Sequence, residues 1–247
     1  MKKVTIIGAG VMGKIFLNAL ANAKANFFVT VVGHDKSKLS LQNEDLIIIA
    51  VKPQSFNELT GELKNKIDKN TVVLSIMAGI NIQKIKNGLG VKKVMRAMPN
   101  LGAKVGKSMT VWTCAAGMSK KEKKLVADVL RSIGKEMFVN SESVINKATA
   151  VSGSGPGFFY SLVESWLAAV ESLGFTKEQA KILLFTTIDG ANEVLKKELD
   201  PIILKNQVAS KGGTTEAGLE VMQKSKLKGI FQKVLQAAHN RAGELAK

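Results

Sequence analysis

Apolar residues run along this chain in two rhythms, and the change comes at Val151-Ser152-Gly153-Ser154-Gly155-Pro156-Gly157. Before that stretch, short β-branched runs alternate with segments of helical period; after it only the helical period remains. The runs at residues 3–7, 28–32, 46–51, 71–76, 94–98, 108–114 and 135–139 read as strands. Residues 46–51 are apolar on both faces, as a central parallel strand should be. Helical spacing follows over residues 14–24, at Phe56, Leu59, Leu63 and Ile67, from Ile82, and from a cap at Ser119 through Arg131. It returns at residues 158–173, 176–199, 200–209, 215–223 and 227–246, with Thr176 and Gln179 spelling a capping box. Residues 185–194 are apolar nearly all round, which predicts burial on every side. Pro156 suits the first turn of a helix with Ser154 as its cap. A flexible linker is the alternative, although the stretch is short and runs straight into Phe158-Phe159-Tyr160. The predicted fold is an α/β unit over residues 1–150 followed by an all-α unit over residues 151–247. A helical half this apolar predicts burial against a second copy of the chain.

The first strand breaks into Gly8-Ala9-Gly10-Val11-Met12-Gly13, and a helix follows. Strand, G-x-G-x-x-G and helix in that order are the dinucleotide fingerprint, so the predicted fold is an α/β Rossmann-type nucleotide-binding domain (residues 1–150) followed by an all-α dimerisation domain (residues 151–247). Gly8 permits the tight turn, Gly10 lets the backbone reach a pyrophosphate, and Gly13 lets the helix pack on the strand, whose helix N–H groups then face phosphate. Ile7, Ala9, Val11 and Met12 complete the expected contact. Asp35, beyond the second strand, favours the free ribose diol of NAD, whereas Lys36, Ser37 and Lys38 suit the extra phosphate of NADP. NADP is the expected cofactor, with NAD open. Only a short connection leads from the second strand to the third, barely what a parallel crossover needs. Later strands end in Ala50-Val51-Lys52-Pro53, Met77-Ala78-Gly79 and Pro99-Asn100, at the carboxyl edge where open sheets bind ligands. Farther on, Ser210-Lys211-Gly212-Gly213-Thr214-Thr215 places two glycines and three hydroxyls at a helix start, a nest suited to a small carboxylate or to an ordinary cap.

Composition narrows the field. The 247 residues suffice for one large or two modest domains. Met1-Lys2-Lys3 leads into too short an apolar run for a signal peptide, and no stretch approaches a membrane span. One cysteine (Cys114) and two histidines make a zinc site a poor reading, and the expected compartment is the cytoplasm. The net charge of +16 raises nucleic-acid binding, but only three of 36 basic side chains are arginines (Arg96, Arg131, Arg241), leaving 33 lysines spread along the chain. Base-reading surfaces favour arginine and interleaved aromatics. The pattern reads as a lysine-rich solvated surface that attracts anionic cofactors and substrates.

Taken together, Gly8–Gly13, Ala50–Pro53, Ser75-Ile76-Met77-Ala78-Gly79, Arg96-Ala97-Met98-Pro99-Asn100, the stretch from Val151 to Pro156 and that from Ser210 to Gly218 resemble the pyrroline-5-carboxylate reductase family, in the family's order and through almost the whole chain. The resemblance implies reduction of 1-pyrroline-5-carboxylate, a small-molecule substrate, to L-proline by hydride from NAD(P)H. It implies a homodimer, often in a ring of dimers, with sites shared between subunits. By position it implies cofactor contacts at the glycine loop, at Ala50, Val51, Lys52 and Pro53, at Ala78 and Gly79 on the nicotinamide side, and at Pro99, Asn100 and Gln207. It implies a substrate loop at Gly212, Gly213, Thr214 and Thr215, with the Thr215 hydroxyl facing the ring nitrogen as the catalytic contact and Glu142 near substrate. Three departures stand out: the short connection after the second strand, which implies a missing edge strand and helix; Lys211 in place of the usual proline; and Lys147 where an acidic residue is common. Two other classes stay open from the residues alone. One is a hydroxyacid-dehydrogenase-like NAD(P) oxidoreductase, for which Lys147, Lys177 and Lys181 are present without a recognisable motif. The other is a nucleotide-sensing protein without turnover.

Overall fold

The computed structural model describes residues 1–23, 27–33 and 41–245. These divide into two compact units, Met1–Pro156 with Gln236–Lys247, and Gly157–Leu235. In the first, β1 (Lys2–Ile7), β2 (Phe27–Val32), β3 (Leu46–Ile49), β4 (Val72–Ser75), β5 (Val94–Met98), β6 (Ser108–Cys114) and β7 (Gly134–Phe138) form one sheet in the order β2-β1-β3-β4-β5-β6-β7. Each neighbouring pair is parallel except β5 and β6. β2 is the sheet's edge, with no strand beyond it among the described residues.

The pleat sends alternate side chains to opposite faces. Ile6, Ile48, Met95 and Trp112 meet α1 (Val11–Ala21) and α4 (Lys120–Arg131) through Phe16, Leu20, Val126 and Leu130. Ile7, Ile49, Val73 and Val94 meet α2 (Phe56–Leu63) and α3 (Ile82–Leu89) through Phe56, Leu59, Ile85 and Leu89. Each such side chain, fully buried, contributes about 1.5–3 kcal/mol relative to exposure. Trp112 is 3% exposed, packs edge-on to Phe138, and donates its indole N–H to Glu136 at 2.6 Å.

At the amino ends of the strands, Lys2 pairs with Asp45 just ahead of β3. Burial pushes the Asp45 carboxyl up, but hydrogen bonds from Lys2 and from the Lys3 N–H outweigh it and hold the group below its ordinary 3.8. Glu122 behaves likewise: burial raises it, while Lys93 and Ser119 bring it below its ordinary 4.5. Ser119 and Glu122 form the reciprocal cap that starts α4.

The glycine–serine stretch is helical rather than extended. From α5 (Glu142–Ala148) the chain passes through one wide turn, Thr149–Gly153, into α6 (Gly155–Ser172). The Ser154 N–H reaches back five residues to the Thr149 carbonyl at 2.8 Å, a π-type step. Ser154 therefore does not cap α6: a cap needs extended dihedrals, and Ser154 is helical (φ −87°, ψ −21°). The small residues serve close packing instead, since a Cβ at Gly153 would lie 3.1 Å from Met98 Cε.

The second unit holds most of α6, then α7 (Lys177–Glu198), α8 (Pro201–Val208), α9 (Thr214–Lys224) and the first half of α10 (Leu227–Leu245), whose residues from Gln236 belong to the first unit. Thr176 and Gln179 make the expected capping box, and Asp200 caps α8 ahead of Pro201. The expected all-round burial of residues 185–194 is not met within one chain. Phe185 is 46% and Val194 51% exposed, and the residues buried on α7 are Ala180 and Leu184. A helix with a layer on one side buries one stripe, and among the described residues nothing buries the rest of α7. Trp166 on α6 is likewise 46% exposed. Among the described residues, no helix is long and apolar enough to cross a membrane.

Candidate active site

Parallel pairing sets Val32, Ile7, Ile49, Ser75 and Arg96 in one row across the sheet. The next row, where strands give way to loops, carries Gly8, Ala50 and Ile76. Their amides extend the ladder, Gly8 N–H to Val32, Ala50 N–H to Ile7 and Ile76 N–H to Ile49, at 2.8–3.1 Å. The glycine loop and the Ala50 and Ile76 segments thus lie along one edge because their strands are in register.

Gly8 has φ +116°, and a Cβ there would come within 2.7 Å of the Ala50 carbonyl carbon and oxygen. The glycine loop and the Ala50-Val51 segment touch backbone to backbone. A Cβ at Gly13 would overlap the Gly8 carbonyl oxygen, so the third glycine sets how closely α1 approaches the loop. Gly10 opens α1, and a Cβ there would meet nothing within 4 Å. Ala9, Gly10 and Val11 are exposed, Met12 is half-buried, and Ile7 and Gly13 are buried. The first turn of α1 holds no acidic residue, and first-turn amides have no intrahelical acceptor. Such an open, amide-lined corner fits a dinucleotide pyrophosphate.

Lys52 is exposed at the start of the short Pro53–Ser55 helical turn, and Val51 and Pro53 are half-buried beside it. Ala78 and Gly79 are half-buried; Gly79 has φ +74°, and the Leu245 backbone at the end of α10 crowds the space a Cβ would need. Pro99 is buried. Asn100 is a knot: its N–H donates to Ser108 Oγ at 3.1 Å, its Oδ1 accepts from Gly102 N–H at 3.0 Å, and its Nδ2 donates to the Ser152 carbonyl at 2.9 Å. Asp35, Lys36 and Ser37 lie outside the described residues.

Glu142, expected near substrate, begins α5, and its Oε1 accepts from Arg96 Nη1 at 3.2 Å and from Ile82 N–H at 2.9 Å. Arg96 is 2% exposed and also donates to Asn146 Oδ1 at 3.2 Å. Motif spacing pointed to neither Arg96 as a buried hub nor Asn146 as its acceptor. The available signal was a lone arginine inside the apolar strand Val94-Met95-Arg96-Ala97-Met98.

In the second unit Gln207 is exposed on α8. Gly212 has φ +72°, and its N–H donates to Glu216 Oε2 at 2.7 Å. The Gly213 N–H donates to the Ser210 carbonyl at 3.0 Å, and Gly213 opens α9 without a side-chain cap. Thr214 and Thr215 occupy the first turn, Thr214 exposed and Thr215 half-buried. An open cleft of about 600 Å³ lies elsewhere, at the amino ends of the strands between Lys2, Asp45 and Glu122. It is at the opposite edge from the glycine loop.

Comparison with known proteins bears on this geometry. Residues 142–245 match the family model for pyrroline-5-carboxylate reductase dimerisation. A pyrroline-5-carboxylate reductase of Staphylococcus aureus (strain COL) is 35% identical over 83% of this chain and 76% of its own length. That of Aquifex aeolicus (strain VF5) is 31% identical over 98% of this chain and 97% of its own. The chain belongs to the pyrroline-5-carboxylate reductase family. As such a reductase it is an oxidoreductase that works with a nicotinamide cofactor and oligomerises through its helical domain. The Plasmodium falciparum pyrroline carboxylate reductase, solved with NADP bound, superposes with a TM-score of 0.88 at 27% identity, over 100% of this reductase and 98% of that chain.

Proposed function

We propose that this chain reduces 1-pyrroline-5-carboxylate to L-proline with NADPH as its preferred donor, residues 1–150 holding the dinucleotide and residues 151–247 serving dimerisation and substrate binding. The observation that carries the reading is an open glycine corner at the sheet's carboxyl edge in a chain of this family. When bound, the reduced nicotinamide supplies the hydride that adds to C5 of the protonated cyclic imine, whose C=N π pair passes to nitrogen.

The chain's own residues position and hold charge. The first-turn amides of α1 after Gly10 hold the pyrophosphate, and Ala50, Val51, Lys52 and Pro53 flank it. Ala78 and Gly79 seat the nicotinamide, with Pro99 and Asn100 alongside and Gln207 approaching from a second subunit. Asp35, Lys36 and Ser37 meet the adenosine ribose, where a lysine and a serine favour the 2′-phosphate of NADP. In the substrate loop, Gly212 and Gly213 shape the turn, and the amides of Thr214 and Thr215 hold the substrate carboxylate. The Thr215 hydroxyl meets the ring nitrogen, which gains its charge relief as the hydride arrives. The apolar side chains that α6 and α7 leave exposed, Tyr160, Leu183 and Phe185 among them, are those a second copy covers, and rings of dimers follow where dimers pair.

Two measurements test this reading. Initial rates at one 1-pyrroline-5-carboxylate concentration are expected to be higher with NADPH than with NADH. No substrate-dependent NAD(P)H oxidation refutes the reaction, and a preference for NADH refutes the cofactor choice. Leu183→Lys with Phe185→Lys is expected to yield monomers in sedimentation at micromolar concentration, since lysines there would be buried unpaired; an unchanged oligomer places the interface elsewhere.

A further inference from the structure

We propose that Arg96, Glu142 and Asn146 form a positioning cluster that fixes the Ala78-Gly79 turn against the cofactor, so that Glu142 acts through this turn rather than by touching substrate; the proposal rests on the cofactor reading above. Arg96 stands in the last row of the sheet before the carboxyl edge, level with Ile7, Ile49 and Ser75. The pleat puts its side chain on the face covered by α2 and α3, since Val94, two residues back, packs there. A 2% exposed guanidinium in that position requires acceptors, and two from a single helix reach it. Glu142 and Asn146 are one turn apart on α5, so both project from the same side. Their oxygens lie 3.2 Å from Nη1 and Nη2 respectively.

The oxygen of Glu142 that meets Arg96 also accepts the Ile82 N–H at 2.9 Å. Ile82 begins α3, whose N-cap Asn81 accepts from Lys84 N–H at 2.7 Å. Two amides at this helix start are therefore held by side chains, one of them from an element sixty residues away. Gly79 lies three residues before Ile82, and Ala78 precedes it. The turn is anchored on its strand side by the buried Ser75 and Met77, crowded by Leu245, and held on its helix side by Glu142. Asn100 binds the other end of the same assembly through Ser152, in the turn that continues α5. One carboxylate thus joins β5, α3 and α5, and the nicotinamide segments at residues 78–79 and 99–100 take their spacing from it.

The test uses the intact assembled protein with Glu142→Ala, Glu142→Gln and Asn146→Ala, measuring NADPH Kd by fluorescence titration, kcat, both KM values, and Tm. Misplacing a reacting ring by about 1 Å costs on the order of a hundredfold, so Glu142→Ala is expected to raise the NADPH Kd and lower kcat by at least about tenfold each. The KM for 1-pyrroline-5-carboxylate stays within about twofold. Glu142→Gln, which keeps an acceptor for Ile82, is expected to recover most of the loss. Asn146→Ala, which leaves the ion pair, shifts the same constants by about threefold and decides the matter if Glu142→Ala does not fold. A rise in the substrate KM alone makes Glu142 a substrate ligand and overturns the proposal. A lower Tm with unchanged constants per folded protein makes the cluster merely structural and overturns it too. Wild-type protein that binds NADPH without reducing the pyrroline refutes the reaction, whereas the Kd shifts still judge the cluster.

Discussion

Thr215→Ala is expected to lower kcat by about a hundredfold, the usual cost of removing one well-placed donor at a centre where charge changes. The hydroxyl sits in the first turn of α9, half-buried, on a helix whose start is set by backbone turns at Gly212 and Gly213 rather than by a side-chain cap. Losing it removes no core contact, so stability should hold within about 0.5 kcal/mol. The NADPH Kd should not move, because the proposed role of the Thr215 hydroxyl is at the substrate's ring nitrogen and not on the dinucleotide. Thr215→Ser should restore most of the rate. Steady-state kinetics beside a denaturation curve decide the point, and an unchanged kcat takes Thr215 out of the mechanism.

Gly13→Ala is expected to weaken NADPH binding by more than about a hundredfold and to destabilise the first unit by about 1–3 kcal/mol. The added methyl meets the Gly8 carbonyl oxygen, which is backbone and cannot rotate away. Relief requires α1 to lift from β1 or the loop to leave Ala50, and either movement spoils the phosphate corner. Gly10→Ala separates the two effects. Its backbone is extended (φ −70°) and its Cβ meets nothing within 4 Å, so the protein should keep its stability yet lose affinity where the methyl intrudes on the pyrophosphate. Cofactor titration and denaturant unfolding on both variants make the comparison. Normal NADPH affinity in Gly13→Ala would place the dinucleotide somewhere other than this loop.

The strands and most helices were legible because burial on both faces leaves an unmistakable apolar run, as at residues 46–49. So was the glycine corner, where strand, loop and helix must follow one another within a dozen residues. The continuity from α5 to α6 was not. A π-type step has no period of its own in sequence, and Gly153, Ser154 and Gly155 spell the same letters in a linker and in a tight helical crossing. The sequence shows Arg96 only as an arginine inside an apolar strand, and its partners were not legible, because Glu142 and Asn146 come from an element 46 and 50 residues on. Residues 185–194 failed for the opposite reason. Apolarity reports that a surface is to be covered, and says nothing of whether its own chain covers it.

The two tryptophans divide the molecule's light between its halves. Trp112, wedged beside Phe138 and tied to Glu136, glows with the sheet, while Trp166 on α6 keeps nearly half of its surface open to water until a second copy covers it. Excited at 295 nm, the protein therefore carries two built-in lamps. Dilution should redden one and leave the other's colour alone, so that loss of assembly and loss of the nucleotide-binding fold can be watched separately in a single cuvette without any added dye.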